Sequence, residues 1–230
     1  MKLTLNKIQK ETGDAVSYIF KATEVLQWKA GQYFHYVLHH EPTDDRGSDR
    51  WFTVASAPFE QDPMITTRIN SDKSSSFKKK LQSLEIGKSI EISVVGGSFV
   101  VVDSSKQYVF IAGGIGITPF RSILKQLEHE KKEINVTLLY ANRNQDIVYK
   151  DELEAITAHN NNFKIHYIIS PEKIDENKIK ELVNDLQTPL FYISGPEPMV
   201  EALEETLQKM NITDDHIKKD SFPGYAGDLS

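Results

Sequence analysis

The sequence contains no cysteine, and this absence removes several kinds of chemistry at once. Without thiols the chain can form no disulfide, no Cys-ligated zinc site, no thiolate-bound iron–sulfur cluster and no Cys nucleophile. It also lacks a strong excess of one charge, because 27 Lys and Arg against 33 Asp and Glu give a net charge of −6 over 230 residues. Since phosphate affinity comes mainly from clustered basic residues, this balance argues against a nucleic-acid-binding protein.

Long hydrophobic runs are missing as well. The N-terminus has no apolar core of signal-peptide length, and no stretch approaches the ~18 apolar residues of a membrane helix. With 39% hydrophobic and 26% charged residues, the composition is that of a folded globular protein rather than a disordered one. The sequence therefore predicts a soluble, cytoplasmic protein with no membrane span.

The hydrophobic pattern changes near residue 103, which divides the chain into two predicted domains. Residues 1–103 contain about six short segments that alternate apolar and polar residues, and one segment of helical spacing from Ser74 to Leu84. Such alternation is typical of antiparallel strands, and this number of strands suggests a closed β-barrel. In residues 104–230, apolar strands alternate with amphipathic helices, which predicts an α/β domain with a parallel sheet covered on both faces.

A glycine-rich segment, Gly113-Gly114-Ile115-Gly116-Ile117-Thr118-Pro119, joins a predicted buried strand to a helix predicted to begin at Pro119. Glycines let a ligand approach the backbone closely, and the free N–H groups at a helix start suit a pyrophosphate. The alternative is a turn that only connects the strand to the helix. The segment also departs from the GxGxxG pattern of dinucleotide-binding proteins, because Pro119 stands in place of the third glycine.

A second motif is Arg50-Trp51-Phe52-Thr53. Arg50 and Phe52 are two positions apart, so on a strand they lie on the same face. Such a pair could hold a phosphate and cover a flat ring, with Thr53 supplying a hydroxyl. The alternative is an ordinary strand with a surface arginine and a core phenylalanine.

These two motifs resemble signatures of the ferredoxin–NADP reductase family. Arg50–Thr53 is similar to its Arg-x-Tyr/Phe-Ser/Thr flavin signature, and Gly113–Pro119 to its Gly-Gly-x-Gly-x-Thr-Pro nicotinamide-nucleotide signature. The resemblance covers nearly the whole chain, because further similar segments follow in the family's order. These segments are Thr67-Arg68, Ser74-Ser75-Ser76, Gly96–Phe99, Tyr140–Arg143, Ser194–Met199 and Asp220–Tyr225.

The resemblance implies a flavoprotein that binds FAD, with FMN as the alternative, together with NADPH or NADH. It implies that Arg50 binds the flavin phosphates, that Phe52 packs against the isoalloxazine or its ribityl chain, and that Thr53 hydrogen-bonds near flavin N5. Thr53 and Ser194 are the predicted catalytic residues, the latter because many relatives have a cysteine there beside the nicotinamide. The predicted cofactor-binding residues are Arg50, Trp51, Phe52, Thr53, Thr67, Arg68, Ser74, Ser75, Ser76, Gly113, Gly114, Gly116, Thr118, Pro119, Arg143, Tyr149, Gly195, Pro196, Met199 and Tyr225.

Several of these assignments keep an alternative. Arg143 either pairs with a 2′-phosphate, which would favour NADPH, or is a solvated loop residue. Tyr149 either stacks on adenine or packs at the start of the next helix. Ser74–Ser76 are candidate N-cap residues whether or not they also contact a phosphate. No metal is predicted, because His35 and His39 lack the further ligands that a metal site needs.

The implied reaction takes electrons from NAD(P)H through FAD to a one-electron acceptor. Since the chain has no cysteine for an iron–sulfur cluster, the acceptor is expected to be separate: ferredoxin or another iron–sulfur protein, flavodoxin, or a haem protein. Three alternatives remain. They are a reductase of a diffusible acceptor such as a ferric chelate or quinone, an electron-transfer subunit of a larger complex, and a nucleotide-binding module without turnover.

Overall fold

The structure is a computed structural model, and it describes residues 1–45, 47–69 and 74–222. The chain divides into two compact units, Met1–Val100 and Val101–Ser230, so the division falls shortly before the boundary predicted after residue 103. Each unit encloses its own cluster of buried hydrophobic side chains.

The first unit is an antiparallel sheet that forms a nearly closed barrel. Its strands are β1 (Lys2–Lys10), β2 (Ala15–Ala22), β3 (Tyr33–Val37), β4 (Asp49–Thr53), β5 (Met64–Arg68) and β6 (Ser89–Gly96). They pair in the order β4-β3-β6-β1-β2-β5. The Ala55 N–H donates to the Met64 carbonyl over 2.8 Å, so the chain just beyond β4 reaches the start of β5 and narrows the gap between the two edge strands.

Burial in the barrel follows the alternation that the sequence predicts. Phe34 and Tyr36 on β3 are wholly buried, while the residues between and beside them are partly exposed. Helix α1 (Ser76–Gln82) adds Phe77 and Leu81 to the same core, because residues four apart lie on one helix face. The core thus lies against the inner face of β4, which carries the Arg50–Thr53 motif.

The second unit is a five-stranded parallel sheet with the strand order β11-β10-β7-β8-β9. Its strands are β7 (Tyr108–Gly113), β8 (Val136–Asn142), β9 (Phe163–Ile169), β10 (Leu190–Pro196) and β11 (Ile217–Phe222). The helices between them are α2 (Ile117–His129), α3 (Lys150–His159), α4 (Glu176–Leu182) and α5 (Glu197–Lys209). Every residue of β7 is buried, as expected for a central strand of a parallel sheet. The fold class predicted from the sequence is confirmed for both units.

The start of α2 differs from the prediction. A 3-10 turn at Gly114–Gly116 leads into α2, which begins at Ile117, so Pro119 is the third helical residue rather than the first. The position still suits proline, because the first N–H groups of a helix have no intrahelical acceptor. None of the helices in the three described ranges is both long and apolar enough to cross a membrane.

Candidate functional site

Arg50 and Phe52 lie on the same face of β4, as their spacing predicts. In the β3–β4 register Arg50 is opposite Tyr36 and Phe52 is opposite Phe34, so both point to the core side of the barrel. Phe52 is half-buried, and its ring lies 5.7 Å from the ring of Phe77 on α1. This placement leaves part of an aromatic face and a guanidinium next to each other at the edge of the core.

The Arg50 guanidinium is held in place by the loop that precedes β4. Its Nη2 donates to Asp44 Oδ1 over 2.9 Å, and its Nη1 donates to the Gly47 carbonyl over 3.1 Å. Its Cζ lies 5.7 Å from the centre of the Phe77 ring, within the range of a cation–π contact. A planar, permanently charged fork that is fixed in this way is well suited to phosphate oxygens.

Asp44 joins Arg50 to the start of α1. Its Oδ2 accepts the Ser76 N–H over 2.8 Å, and its own N–H donates to Ser76 Oγ over 3.0 Å. Ser75 is the N-cap residue, and its hydroxyl accepts the Lys78 N–H over 3.3 Å. One carboxylate therefore lies against a guanidinium and a backbone N–H, and phosphate oxygens accept from the same donors. The Asp44 carboxylate acts here as a stand-in anion, so the residues present fit an anionic group such as a flavin diphosphate.

The structure also gives the positions of four other residues predicted to bind the cofactor in the first unit, Trp51, Thr53, Thr67 and Arg68. Trp51 lies on the opposite face of β4, half-exposed, with its ring 4.4 Å from that of His35. Thr53 and Thr67 are buried among barrel residues. Arg68 forms an ion pair with Asp14 at 2.6 Å, and its carbonyl accepts the Lys78 ammonium at 3.4 Å. The structure thus brings Arg50, Phe52, Ser75 and Ser76 together but not Trp51.

In the second unit, the glycine turn packs closely against the end of β10. A Cβ on Gly113 would collide with the Met199 sulfur, and one on Gly116 would collide with the Ser194 carbonyl. Gly195 is packed tightly but without such a collision, because a Cβ on it would lie 3.3 Å from the Gly113 Cα. Two segments that the sequence predicts to bind the nucleotide therefore meet at the carboxyl ends of β7 and β10, where open parallel sheets bind their ligands.

Gly114 differs from its neighbours in the turn. Its φ is +52°, and among the described residues no atom beyond its chain neighbours lies within 4 Å of the place where a Cβ would be. A positive φ favours glycine, and the open space leaves the backbone accessible to a ligand. Packing alone accounts for Gly113 and Gly116, whereas Gly114 provides the accessible surface that a nucleotide would need.

Thr118 and Pro119 lie in the first turn of α2, behind this glycine turn. Both are buried, and the Thr118 hydroxyl donates to the Ile115 carbonyl over 3.1 Å. Ser194 is wholly buried too, and its hydroxyl donates to Asp220 Oδ2 over 3.4 Å. The side chains of Thr118 and Ser194 therefore stabilise the turn and the β10–β11 pair, and a direct role at a nicotinamide stays a prediction.

The segment after β8 leaves one of its two predicted residues accessible and encloses the other. Arg143 is exposed just beyond the end of the strand. Tyr149 is 5% exposed, and the Arg121 guanidinium lies 5.0 Å from the centre of its ring. Arg121 in turn forms an ion pair with Glu152 on α3 at 2.8 Å. This enclosed position favours the packing alternative for Tyr149 over stacking on adenine.

Two residues make contacts near these motifs that the sequence did not predict. Asp44 lies in a polar segment that reads only as a loop, and nothing in its local pattern predicts the contact with Arg50. Tyr140 ends a buried strand pattern, yet its hydroxyl donates to the Gly114 carbonyl over 3.1 Å. Tyr225, the last predicted cofactor residue, lies outside the described residues.

Comparison with known families gives a match within the second unit. Residues 110–205 match the family model described as "Oxidoreductase NAD-binding domain". This range contains the glycine turn, the segment after β8 and the end of β10. The predicted resemblance to ferredoxin reductase-type proteins is confirmed by this match and by the similar proteins described next.

Among curated proteins, the chain is similar to reductase components of oxygenase systems. It is 25% identical over 194 residues to the carnitine monooxygenase reductase subunit of Escherichia coli, a match that covers 82% of this chain and 57% of that protein. It is 27% identical over 211 residues to the anthranilate 1,2-dioxygenase electron transfer component of Acinetobacter baylyi, covering 86% and 59%. The chain thus spans less than two thirds of the length of these relatives.

Two solved structures match the fold of nearly the whole chain. The flavohem-like FAD/NAD binding domain of nitric oxide dioxygenase from Vibrio cholerae matches with a TM-score of 0.83 and 21% identity, covering 96% of this chain and 98% of that one. Ferredoxin-NADP+ reductase from Plasmodium falciparum matches with a TM-score of 0.83 and 17% identity, covering 96% and 95%. At these identities the likeness establishes the two-unit fold.

Proposed function

We propose that this chain is a flavin-dependent oxidoreductase that takes electrons from NADPH or NADH through FAD and passes them to a separate one-electron acceptor. The proposal rests on two arrangements of residues that occur in the same chain, one in each unit. The first unit holds Arg50 and the Ser76 N–H against a common carboxylate, and the second presents Gly114 at the end of a central parallel strand. One arrangement suits a flavin diphosphate and the other a nicotinamide nucleotide.

FAD would be held by residues of the first unit. Arg50 would bind the diphosphate, the Ser76 N–H would donate to it, and the half-buried ring of Phe52 would pack on a flat part of the cofactor. When bound, the flavin supplies the hydride-accepting and single-electron chemistry. The protein's part is to bind and orient it and to exclude water. This division of labour explains why the proposal assigns no general acid–base pair.

The nicotinamide nucleotide would be held by the carboxyl edge of the second unit. The open backbone at Gly114 and the N–H groups at the start of α2 would face its phosphates. Arg143 would meet a 2′-phosphate, which makes NADPH the expected donor if that contact forms. The family match for residues 110–205 supports this assignment.

The acceptor is proposed to be another redox protein, such as an iron–sulfur protein, flavodoxin or haem protein. Two observations support this choice: the chain has no cysteine to hold a cluster of its own, and similar curated proteins are named as reductase or electron transfer components of oxygenases. A diffusible acceptor, such as a ferric chelate or quinone, and transfer only inside a larger complex are the competing outcomes.

The test is an absorbance titration of the purified protein. We expect a yellow protein with flavin bands, bleached by NADPH or NADH without oxygen and recoloured by ferricyanide. Protein that stays colourless after incubation with excess FAD or FMN would contradict the proposal. Turnover with a ferric chelate or quinone, at rates that added redox proteins do not exceed, would replace the protein acceptor with a diffusible one.

A further inference from the structure

The hydroxyl of Tyr140 lies between two loops at the carboxyl edge of the second sheet. Tyr140 is on β8 and is wholly buried. Its Oη lies 3.1 Å from the Gly114 carbonyl in the turn after β7 and 3.3 Å from the Val148 carbonyl in the segment after β8. Because a phenol has one proton to donate, the two carbonyls share one donor.

The bond to Gly114 bears on the direction of the neighbouring N–H group. The Gly114 carbonyl also accepts the Ile117 N–H inside the turn, whereas the Tyr140 bond ties this peptide to a different strand. A trans peptide is planar, with its C=O and N–H pointing in opposite directions. With the carbonyl turned towards buried Tyr140, the Ile115 N–H is directed away from it. A Cβ on Gly114 would also meet no atom of the described residues within 4 Å.

The bond to Val148 acts on the second loop. The segment that Val148 belongs to begins at exposed Arg143 and ends at Tyr149, whose φ is +62°. The proposed nucleotide contacts of this unit thus belong to two loops that one buried hydroxyl links. The buried Tyr140 hydroxyl therefore fixes the separation of the two loops from the interior of the unit.

We propose that Tyr140 is a positioning residue for the nicotinamide nucleotide, and that its hydroxyl sets the relative placement of the glycine turn and the 143–149 segment. This inference rests on the proposed function, since it concerns the same nucleotide. Tyr140 touches neither cofactor in this assignment. Its effect should therefore fall on nucleotide affinity and leave the electron transfer from reduced flavin untouched.

The experiment is Tyr140→Phe, which keeps the buried ring and removes only the hydroxyl. Loss of one neutral hydrogen bond predicts a rise of about three- to tenfold in KM and Kd for the nucleotide. The rise should be equal for NADPH and NADH, because the bond acts on backbone that both would meet. The kcat value and the rate at which dithionite-reduced enzyme reduces ferricyanide should stay within about twofold.

The matched control is Tyr108→Phe. Tyr108 is a buried tyrosine at the start of β7, the end away from the glycine turn. Its hydroxyl donates to the Asp103 carbonyl over 2.7 Å. We expect both variants to lose similar thermal stability, but only Tyr140→Phe to lose nucleotide affinity. Unchanged affinity in Tyr140→Phe, or an equal loss in both variants, would overturn the inference.

A measurement on the unmodified protein covers the case in which Tyr140→Phe does not fold. NADPH should slow hydrogen exchange in residues 113–118 and 143–149 together, and protection of only one segment would overturn the inference. Wild-type protein that binds no nucleotide at all would instead contradict the proposed function. The two failures are therefore distinguishable.

Discussion

Asp44 and Arg50 form an ion pair at 2.9 Å in which neither side chain is well exposed, since the arginine is 14% and the aspartate 26% accessible. The other oxygen of the same carboxylate accepts the Ser76 N–H. The arginine proposed to hold the flavin diphosphate is thus already paired with an internal anion. A bound diphosphate and the Asp44 carboxylate would accept hydrogen bonds from the same donors. Mutation of Arg50 removes a donor and mutation of Asp44 removes the competing anion, so the two contributions can be measured separately.

Arg50→Ala should weaken the retention of FAD. A hydrogen bond to a charged group contributes about 1.5–3 kcal/mol, so the Kd for FAD should rise roughly 10- to 150-fold. The measurement is flavin release by ultrafiltration and fluorescence. Arg50→Lys is the partner variant, because it keeps the charge but loses the fork, and an intermediate loss is expected. Wild-type affinity in Arg50→Ala would refute the phosphate role.

Asp44→Asn should have the opposite effect. The amide is isosteric and can still accept the Ser76 N–H, but it no longer competes as an anion for Arg50. An incompletely exposed ion pair contributes up to about 1 kcal/mol, so FAD affinity should increase by two- to fivefold, and less at high salt. Weaker flavin binding would mean instead that the carboxylate orients Arg50 for the cofactor.

The control for this variant is Asp49→Asn. Asp49 is on the same strand as Arg50, and its carboxylate pairs with His35 at 2.6 Å. The net charge changes by the same amount in both variants, whereas only Asp44 touches Arg50 through its side chain. Flavin affinity should stay at the wild-type value in Asp49→Asn.

The fold could be predicted from the sequence because its signals are local. Alternation along β3 and the apolar run of β7 each report which faces are buried, and neighbouring residues suffice to show this. The connections that define the candidate site are not local. Asp44 meets Ser76 across 32 positions and Tyr140 meets Gly114 across 26, and neither pair has a spacing that a periodic pattern could reveal. The start of α2 was missed by two residues for a related reason, since Pro119 is tolerated throughout the first turn.

Arg143→Ala tests the preference between the two nucleotides. Arg143 is exposed beyond β8, so its removal should do little to the fold. If it meets a 2′-phosphate, kcat/KM for NADPH should fall about tenfold while the value for NADH changes less than twofold. Lys150→Ala is the control, because it removes the same charge from an exposed site nearby on α3. Equal losses with NADPH and NADH would remove the 2′-phosphate assignment.

Gly116→Ala tests whether close packing explains the glycines of the turn. A methyl group there would collide with the backbone of Ser194 and Gly195, and backbone cannot rotate away as a flexible side chain can. Overpacking of this kind costs about 1–3 kcal/mol, and the rigid neighbour favours the upper end.

Gly114→Ala is the comparison for Gly116→Ala, because its methyl group would enter open space and meet only the strain of a left-handed φ. That strain costs roughly 1–2 kcal/mol. Urea unfolding followed by circular dichroism should therefore rank the stabilities as wild type, Gly114→Ala and Gly116→Ala. For nucleotide affinity we expect the opposite order, with the larger loss in Gly114→Ala. Of these two glycines, only Gly114 offers accessible backbone to the ligand. If Gly116→Ala unfolds at the wild-type urea concentration, close packing against β10 does not account for the glycine at this position.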